Sequence, residues 1–264
     1  MKIYERELEF AKSVLVSAFE EEGKNHNFTT ISKGERDFAT SVDLAVEARI
    51  VEHIRESFPG DDILAEENHS ADVDHTRFWC LDPIDGTVNF ARGLPLYGVQ
   101  MALVEDGVPV VGVIYLPVLN ELYWASLGQG SFVNGAPIRV SRVKTVQKAL
   151  ISMGDFSKKD GQDEANARWQ RAINSLGIPA MKLKIFGAAC VDMAYLSRGY
   201  VDAHMMFGFG LWDLLPGLVI ASEAGACYQT GEGAPFNLHA KTFAAAATPA
   251  LLDDMLSRLK TGGF

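Results

Sequence analysis

The stretch Asp82–Phe90, with the sequence DPIDGTVNF, decides how this chain is interpreted. An apolar run directly before it predicts a short buried strand, which we expect Pro83 to end because proline lacks a backbone donor. The end of such a strand directs Asp82, the Ile84 carbonyl and Asp85 towards one point. That arrangement suits a hard divalent cation, which prefers oxygen ligands and can share them with a phosphate group.

Other interpretations of this stretch fit the sequence less well. A polar turn explains a bare Asp-Gly pair, but not an ordered Asp-x-x-Asp-Gly-Thr at a strand end. The alternating ligands and closing glutamate of an EF-hand loop do not occur here, and the chain contains no GxxxxGK[ST] phosphate loop. The spacing also differs from the Asp-x-Asp signature of phosphatases that form an aspartyl-phosphate, so we expect no covalent intermediate.

Composition and charge exclude several classes of protein. The 264 residues carry a formal net charge of -10, which argues against non-specific binding to nucleic acid. No apolar run approaches the roughly 18 to 20 residues of a membrane helix, and the N-terminus lacks the layout of a signal peptide. The three cysteines are scattered, which indicates neither a disulfide framework nor a zinc-thiolate site. We therefore expect a cytoplasmic protein without membrane or nucleic-acid partners.

The first part of the chain combines helices with a run of strands. Periodicity predicts a helix from the N-terminus to near Gly23, a polar loop to Asp37 and a second helix over 41–57. Asp106-Gly107 is a hairpin signal between two apolar runs. The predicted strands are 63–65, 77–81, 97–104, 108–115 and 121–125.

The remainder of the chain alternates between strands and helices. The predicted strands are 150–153, 182–185, 203–207 and 243–247. The predicted helices are 164–176, 188–198, 213–224 and 249–259. This alternation favours a layered α/β half behind an α+β half. We place the boundary between the two subdomains, 1–145 and 146–264, where the pattern changes.

Acidic residues elsewhere could complete a metal site, although each also has a structural explanation. Glu66 and Glu67 follow a short apolar run and would, taken alone, form a solvated acidic loop. Asp213 opens a predicted helix and, taken alone, is most simply its N-cap, a role that is compatible with binding a metal. Asp43 matches a capping box with Thr40, yet it could also partner a hydroxyl that deprotonates water.

Taken together, these segments resemble the inositol monophosphatase family, whose members are lithium-sensitive, Mg2+-dependent phosphatases of small molecules. The order and spacing match from near the N-terminus to about Gly225, and two signatures more than a hundred residues apart are intact. The segments that carry the resemblance are Asp37–Asp43, Ala65–Glu67, Asp82–Phe90, Gly128–Gly135 and Trp212–Gly225.

The resemblance implies a fold, cofactors and residue roles. It implies a sandwich of alternating α-β-α-β-α layers like that of sugar phosphatases, a homodimer and two or three Mg2+ ions. Thr87 with Asp43 would position the attacking water, and Glu67 would support the site. Lys33 would stand near the metals. The implied metal ligands are Glu66, Asp82, the Ile84 carbonyl, Asp85 and Asp213. The implied substrate-binding residues are Ile84, Asp85, Gly86, Thr87, Lys184, Gly187, Ala188, Met206 and Asp213.

Two departures from the family pattern concern the substrate. Met206 stands where the inositol phosphatases carry a glutamate that grips hydroxyl groups, and a thioether cannot accept strong hydrogen bonds. Lys184 stands where they usually have an arginine. Inositol phosphates, histidinol phosphate and a sugar bisphosphate therefore remain open as substrates, and 3'-phosphonucleotides are less favoured. The alternative to an enzyme is a non-catalytic member of the family that serves as a regulatory protein.

Overall fold

Two helices separated by a β-hairpin form the N-terminal part of the computed structural model. It describes residues 4–24, 27–34, 37–68, 76–156 and 163–264. Helix α1 spans Glu5–Ala18, β1 Thr30–Gly34, β2 Asp37–Thr40 and α2 Ser41–Ser57, and a π-helical turn extends α1 to Gly23. Both predicted helices are confirmed. The predicted polar loop is wrong in part, because β1 pairs antiparallel with β2. Every residue of β1 is exposed, so no apolar alternation marks this strand.

A seven-stranded sheet follows, in the order β3-β4-β5-β6-β7-β8-β9. Only β3 and β4 pair in parallel, and the other neighbours are antiparallel. The predicted hairpin is confirmed, with positive φ at both Asp106 and Gly107, as a tight turn between twisted strands requires. The strands are β3 Asp62–Ala65, β4 Arg77–Asp85, β5 Gly98–Glu105, β6 Val108–Leu116, β7 Glu121–Ser126, β8 Ser131–Val133 and β9 Ala136–Pro137.

Strand β4 continues through Pro83, so the prediction that this proline ends the strand is wrong. Asp82 pairs with Gln100 and Asp85 with Gly98, which leaves one extra residue on β4 and makes a bulge. A bulge tolerates proline because the ladder is already interrupted there. A short helix that the sequence did not predict, α3 over Thr87–Arg92, begins just after the strand.

The second sheet has the order β11-β10-β12-β14-β13. Strands β10, β11 and β12 are parallel, and β14 runs antiparallel to its neighbours. The predicted alternation is confirmed, and β13 is an additional strand. The elements are β10 Leu150–Met153, α4 Asp163–Gly177, β11 Lys182–Lys184, α5 Ala189–Ser197, β12 Ala203–Phe207, α6 Leu211–Glu223, β13 Cys227–Gln229, β14 Thr242–Ala246 and α7 Pro249–Thr261.

Helices and sheets stack in five layers. Helices α1 and α2 cover one face of the seven-stranded sheet. Helices α5 and α6 lie between the two sheets, where Leu214 shares a buried cluster with Phe78 of one sheet and Phe243 of the other. Trp169 of α4 and Leu251 of α7 cover the outer face of the second sheet. The predicted α-β-α-β-α sandwich is confirmed, whereas the boundary between residues 145 and 146 stays a prediction.

Glycine lets α6 approach the first sheet and helix α5 closely. A Cβ added at Gly112 of β6 would lie 2.3 Å from the Pro216 carbonyl oxygen, and one added at Gly217 would lie 2.3 Å from the Met193 Cβ. Both distances are impossible for real side chains, so glycine is required at both positions. This close packing fixes the start of α6, and with it Asp213, against the strands of the first sheet.

Two segments that the sequence analysis marked separately are bonded to each other. The Glu223 carboxylate, at the end of α6, accepts hydrogen bonds from the amides of Gly128 at 2.7 Å and Gly130 at 2.8 Å. This contact ties the turn after β7 to the helix that carries Asp213. In the described part of the chain, none of the helices combines the length and the apolar character needed to cross a bilayer.

Candidate metal and phosphate site

Four carboxylates from three elements meet at the start of α3. Carboxylate oxygens of Asp82, Asp85 and Asp213 lie within 4.8 Å of one another. Glu66, just beyond β3, lines the same cavity of about 410 Å³. The bulge in β4 and the start of α6 bring the three aspartates together, although Asp82 and Asp213 are 131 positions apart in the sequence.

Burial and mutual repulsion make these carboxylates difficult to ionise. Burial raises the pKa of Asp82 well above its usual range, and the charges of Glu66, Asp85 and Asp213 add to this rise. Burial likewise raises the pKa of Asp213, to which Asp85 and Glu66 contribute. Burial raises the pKa of Asp85 to about 6, although backbone amides oppose the rise.

Asp85 is oriented by groups that the sequence analysis did not identify. Its Oδ2 atom accepts hydrogen bonds from the backbone amide of Cys190 and from Nε2 of Gln100 at 3.1 Å. Gln100 is fully buried on β5, and its Nε2 also lies 3.4 Å from the Asp213 carbonyl oxygen. The only sequence signal for Gln100 is a polar residue within an apolar strand, and this signal does not indicate which residues Gln100 contacts.

The donor set fits a divalent cation. The cluster offers several buried carboxylate oxygens, and Ile84 lines the same cavity. Buried anions that repel one another are stable only when protonated or when paired with positive charge. Hard oxygen ligands of this kind suit Mg2+ or Ca2+ better than softer metals.

Asp213 occupies a different helical position from the one predicted. It is the third residue of α6 rather than the residue that opens it, and its Oδ2 accepts a hydrogen bond from the Gly210 amide at 2.7 Å. The prediction that Asp213 is the N-cap is therefore wrong. The side chain still satisfies an amide at the helix start, and its carboxylate also reaches the metal-site cluster.

Asp43 has both of the roles between which the sequence left a choice. Thr40 and Asp43 form a capping box at the start of α2, and Asp43 Oδ2 accepts the Thr40 amide at 3.0 Å. The other oxygen, Oδ1, accepts a hydrogen bond from the Thr87 hydroxyl at 3.1 Å. Burial raises the pKa of Asp43, although its hydrogen bonds to Thr40 and Thr87 oppose that rise.

Lys33 neutralises part of the acidic cluster from the hairpin. Its Nζ lies 2.9 Å from Oε1 of Glu66 and 2.6 Å from Oε1 of Glu67. Burial raises the pKa of Glu67 to about 7, although Lys33 opposes the rise. Glu47 of α2 accepts hydrogen bonds from the backbone amides of Glu67 at 2.8 Å and Asn68 at 2.9 Å, and so positions this segment.

Gly86 connects β4 to α3 through a conformation that favours glycine. Its φ is 90°, and a Cβ there would lie 2.9 Å from the Ala188 Cβ and 3.1 Å from the Leu96 carbonyl oxygen. Asn89 of α3 donates through Nδ2 to the carbonyl oxygens of Leu96 at 2.6 Å and Phe186 at 2.8 Å. This amide, which the sequence analysis did not assign, holds the 186–188 turn against the start of α3.

The structure separates the predicted substrate residues into two groups. Gly187, Ala188 and Met206 line the cavity with the metal-site carboxylates. Lys184 is exposed on β11 and is not among the described residues that line the cavity, so the structure does not bring it to the site. The remaining described wall, whose role no motif predicted, is formed by Phe38, Val88, Asn89, Gly154, Asp155, Phe156, Ala189, Asp192, His204, Phe207, Gly208 and Phe209.

Comparison with known proteins identifies the family. The model of the inositol monophosphatase family matches residues 3–261. A fructose-1,6-bisphosphatase/inositol-1-monophosphatase of Thermotoga maritima is 34% identical over 210 residues, which cover 80% of this chain and 78% of the relative. The Nus factor SuhB of Xylella fastidiosa is 36% identical over 207 residues, covering 78% and 74%. An inositol monophosphatase structure from Anabaena superposes with a TM-score of 0.84 at 27% identity, covering 97% and 96%.

These matches agree with the layered fold and with the acidic cavity. The chain therefore belongs to the inositol monophosphatase family.

Proposed function

We propose that this protein is a Mg2+-dependent phosphatase that hydrolyses phosphate monoesters of a small phosphorylated polyol or a related metabolite. The observation that carries the proposal is the buried cluster of Asp82, Asp85 and Asp213 beside the Thr87–Asp43 contact. Such a cluster supplies ligands for a divalent cation, and the contact supplies a site for the attacking water. Family membership and relatives named as phosphatases support the same conclusion.

The metal would be held by Glu66, Asp82, Asp85, Asp213 and the Ile84 carbonyl oxygen. When bound, two or three Mg2+ ions would neutralise the carboxylates, stabilise charge on the phosphate and make water more acidic. Without this positive charge, a phosphate dianion would enter a cavity lined by six acidic residues, which are Glu66, Asp82, Asp85, Asp155, Asp192 and Asp213. The proposed activity therefore depends strictly on the metal.

Thr87 and Asp43 would deprotonate the attacking water. The Thr87 hydroxyl donates a hydrogen bond to the Asp43 carboxylate. In the proposed relay, the water gives a proton to the Thr87 oxygen while the hydroxyl proton of Thr87 moves to Asp43. The raised pKa of Asp43 makes this carboxylate a stronger base than an exposed aspartate. The backbone amides of Gly86 and Thr87 would face the phosphate and stabilise its developing charge.

The other predicted residues have supporting roles in the proposal. Glu67 would hold Lys33 beside the site without lining the cavity itself. Gly187, Ala188 and Met206 would contact the leaving group, and Met206 disfavours inositol because it offers no strong acceptor for hydroxyl groups. Lys184 has no substrate contact in this proposal, because it lies outside the described lining of the cavity.

A non-catalytic regulatory protein is the second candidate, because the Xylella relative is named a Nus factor. The ligand carboxylates and the Thr87–Asp43 contact are all present, which favours catalysis. The homodimer and lithium sensitivity follow only from the family resemblance. We also propose a cytoplasmic location, which the three scattered cysteines favour.

A Mg2+ titration tests the proposed function. Purified protein is freed of metal with a chelator, and phosphate release from p-nitrophenyl phosphate is followed as Mg2+ is restored. We expect no release without the metal and saturable release with it. Inositol 1-phosphate, histidinol phosphate and fructose 1,6-bisphosphate are then compared under saturating Mg2+. Absence of phosphate release from every ester at every Mg2+ concentration would refute the proposal and favour the regulatory alternative.

A further inference from the structure

Two polar side chains of the second sheet and one of helix α5 meet beside the cavity. Ser152 of β10 and His204 of β12 are paired in register, and Ser152 Oγ lies 2.9 Å from Nδ1 of His204. Oδ1 of Asp192, on α5, lies 3.7 Å from the same ring nitrogen. We call Ser152, Asp192 and His204 the buried polar trio. None of the three belongs to the proposed metal site or to the proposed water site.

Two atoms of the trio have no hydrogen-bond partner among the described residues. They are Oδ1 of Asp192 and Nε2 of His204. Asp192 is only 1% exposed and His204 is fully buried, yet both side chains line the cavity that holds the metal-site carboxylates. An unpaired polar atom this deeply buried costs free energy, and native structures rarely leave one without a partner. The two atoms therefore mark a position in the cavity wall where a ligand group would find unused hydrogen-bonding partners.

The hydrogen bonds inside the trio indicate that both unpaired atoms are acceptors. Burial raises the pKa of Asp192 and a hydrogen bond with the Ser152 side chain opposes this rise, so beside a positive charge the carboxyl group is ionised and both of its oxygens accept hydrogen bonds. The Ser152 proton is then committed, so Nδ1 of His204 must donate to Ser152 Oγ. Burial lowers the pKa of His204 to about 3, which keeps the ring neutral and leaves Nε2 with a lone pair. A ligand that satisfies both atoms must supply donors.

The surrounding wall favours a donor that carries positive charge. Asp155 adds a second acidic side chain, and the aromatic rings of Phe156, Phe207 and Phe209 line the same cavity. Carboxylates and aromatic faces both attract cations. Within the described part of the lining, lysine and arginine do not occur. An ammonium group supplies three donors and a charge, and its charge-assisted bonds are about twice as strong as those of a neutral hydroxyl.

We propose that Asp192 and His204 form the leaving-group subsite of this phosphatase and select phosphate esters whose alcohol carries an amino group. The inference rests on the proposed function, since it assigns the alcohol side of the same reaction. The ammonium donates to Oδ1 of Asp192 and to Nε2 of His204, and Ser152 holds both acceptors in place. Asp192 and His204 bind and orient the leaving group and take no part in proton transfer.

The test compares esters that differ in one group. Aminoethyl and aminopropyl phosphate are each paired with the hydroxyalkyl phosphate of the same length, and p-nitrophenyl phosphate serves as the reference. The variants are Asp192→Asn and His204→Phe. Asp202→Asn is the matched control, because Asp202 is also buried but is fully bonded, to the Leu150 amide at 2.8 Å and to Ser141 at 2.5 Å, and does not line the cavity.

We expect the wild-type enzyme to prefer the amino esters. Asp192→Asn should lower kcat/KM for these esters by about 10- to 100-fold, mainly through KM, because a hydrogen bond to a charged group is lost. The hydroxyalkyl esters and the reference should change by less than about threefold. His204→Phe should act in the same direction, which keeps the test decisive should Asp192→Asn fail to fold. Asp202→Asn should retain the preference.

A binding measurement separates this inference from the proposed function. The phosphonate analogue of aminopropyl phosphate, which cannot be hydrolysed, is titrated into each variant with Mg2+ in a calorimeter. Tighter binding to wild type and Asp202→Asn than to Asp192→Asn supports the subsite even where no ester is hydrolysed. The subsite would be overturned if the enzyme hydrolysed p-nitrophenyl phosphate but did not prefer amino esters, and if all variants bound the phosphonate equally. The phosphatase proposal would then still stand. Water alone would then pair the two atoms.

Discussion

The Thr87 hydroxyl oxygen lies 3.1 Å from Oδ1 of Asp43, although the two residues are 44 positions apart. The same oxygen lies 3.1 Å from the Ile84 carbonyl oxygen. A threonine hydroxyl has one proton, so it can donate to only one of these acceptors at a time. Donation to Asp43 leaves the oxygen lone pairs available to a water molecule, which is the arrangement that a proton relay needs.

Replacing Thr87 with valine tests the relay. Thr87→Val preserves the shape of the side chain but removes the hydroxyl, so we expect kcat to fall by about 10²- to 10⁴-fold, the usual contribution of general acid–base catalysis. KM should change little, because the hydroxyl acts on water rather than on the ester. Steady-state phosphate release measures both constants. Thr87→Ser keeps the hydroxyl and is the matched control, and equal kcat values for the two variants would contradict the relay.

Replacing Asp213 with asparagine separates catalysis from stability. We expect Asp213→Asn to lower Mg2+-dependent phosphate release by on the order of 10³-fold or more, because one charged metal ligand is lost. The metal-free variant should unfold at a higher temperature than the metal-free wild type, because one of several repelling buried carboxylates has been neutralised. Thermal unfolding followed by circular dichroism measures the second effect.

Asp202→Asn is again the matched control for Asp213→Asn. Asp202 binds the Leu150 amide and Ser141 rather than other acids, so its loss should lower stability and leave Mg2+-dependent turnover intact. Undiminished turnover in Asp213→Asn would show that Asp213 is not a metal ligand.

The stability of the metal-free protein should fall as the pH rises. Burial raises the pKa of Asp85 from 3.8 to about 6 and that of Glu67 from 4.5 to about 7. Between these pH values the folded state retains protons that the unfolded chain loses. The two groups therefore contribute fully to the free energy of unfolding below about pH 4, and this contribution is lost as the pH rises through 6 to 7. The melting temperature with a chelator should be higher at about pH 5 than at about pH 7.5.

Mg2+ should reverse this pH dependence, because the cation replaces the protons among the carboxylates. At a hundredfold excess over its dissociation constant, Mg2+ should add about 2.7 kcal/mol of stability. The increase in melting temperature on adding Mg2+ should be larger at neutral pH, where protons compete less for the ligands. Equal increases at both pH values would contradict a metal site built from these carboxylates.

Adding a methyl group at Gly86 should lower the stability of the protein by more than the backbone strain of a positive φ accounts for. Gly86→Ala places a Cβ 2.9 Å from the Ala188 Cβ in a residue with φ of 90°. Gly93→Ala has φ of 69° with no neighbour within 4 Å, so it measures the strain by itself. We expect about 1 kcal/mol of destabilisation for Gly93→Ala and at least about twice that for Gly86→Ala. Denaturant unfolding gives both values, and equal losses would contradict the close approach.

Local pattern was sufficient to predict most helices and strands of this protein. Helical spacing predicted α1 and α2, and the predicted Asp106-Gly107 hairpin and the predicted alternation of strands and helices after residue 145 are also confirmed. The sequence did not predict the polar strand β1 or the bulge at Pro83, because neither shows a repeating pattern of apolar residues. In both cases pairing with a neighbouring strand, rather than local preference, decides the conformation.

By itself, the sequence determined the chemistry available at the site. The DPIDGTVNF stretch carries two carboxylates, a carbonyl, a glycine and a hydroxyl in one short segment, and local geometry holds them together. Only the tertiary structure decided which distant residues join them. It brought Asp213 and Gln100 to Asp85, left Lys184 outside the described cavity wall, and buried Asp192 beside His204. These contacts depend on how α5 and α6 pack between two sheets, which no local pattern encodes.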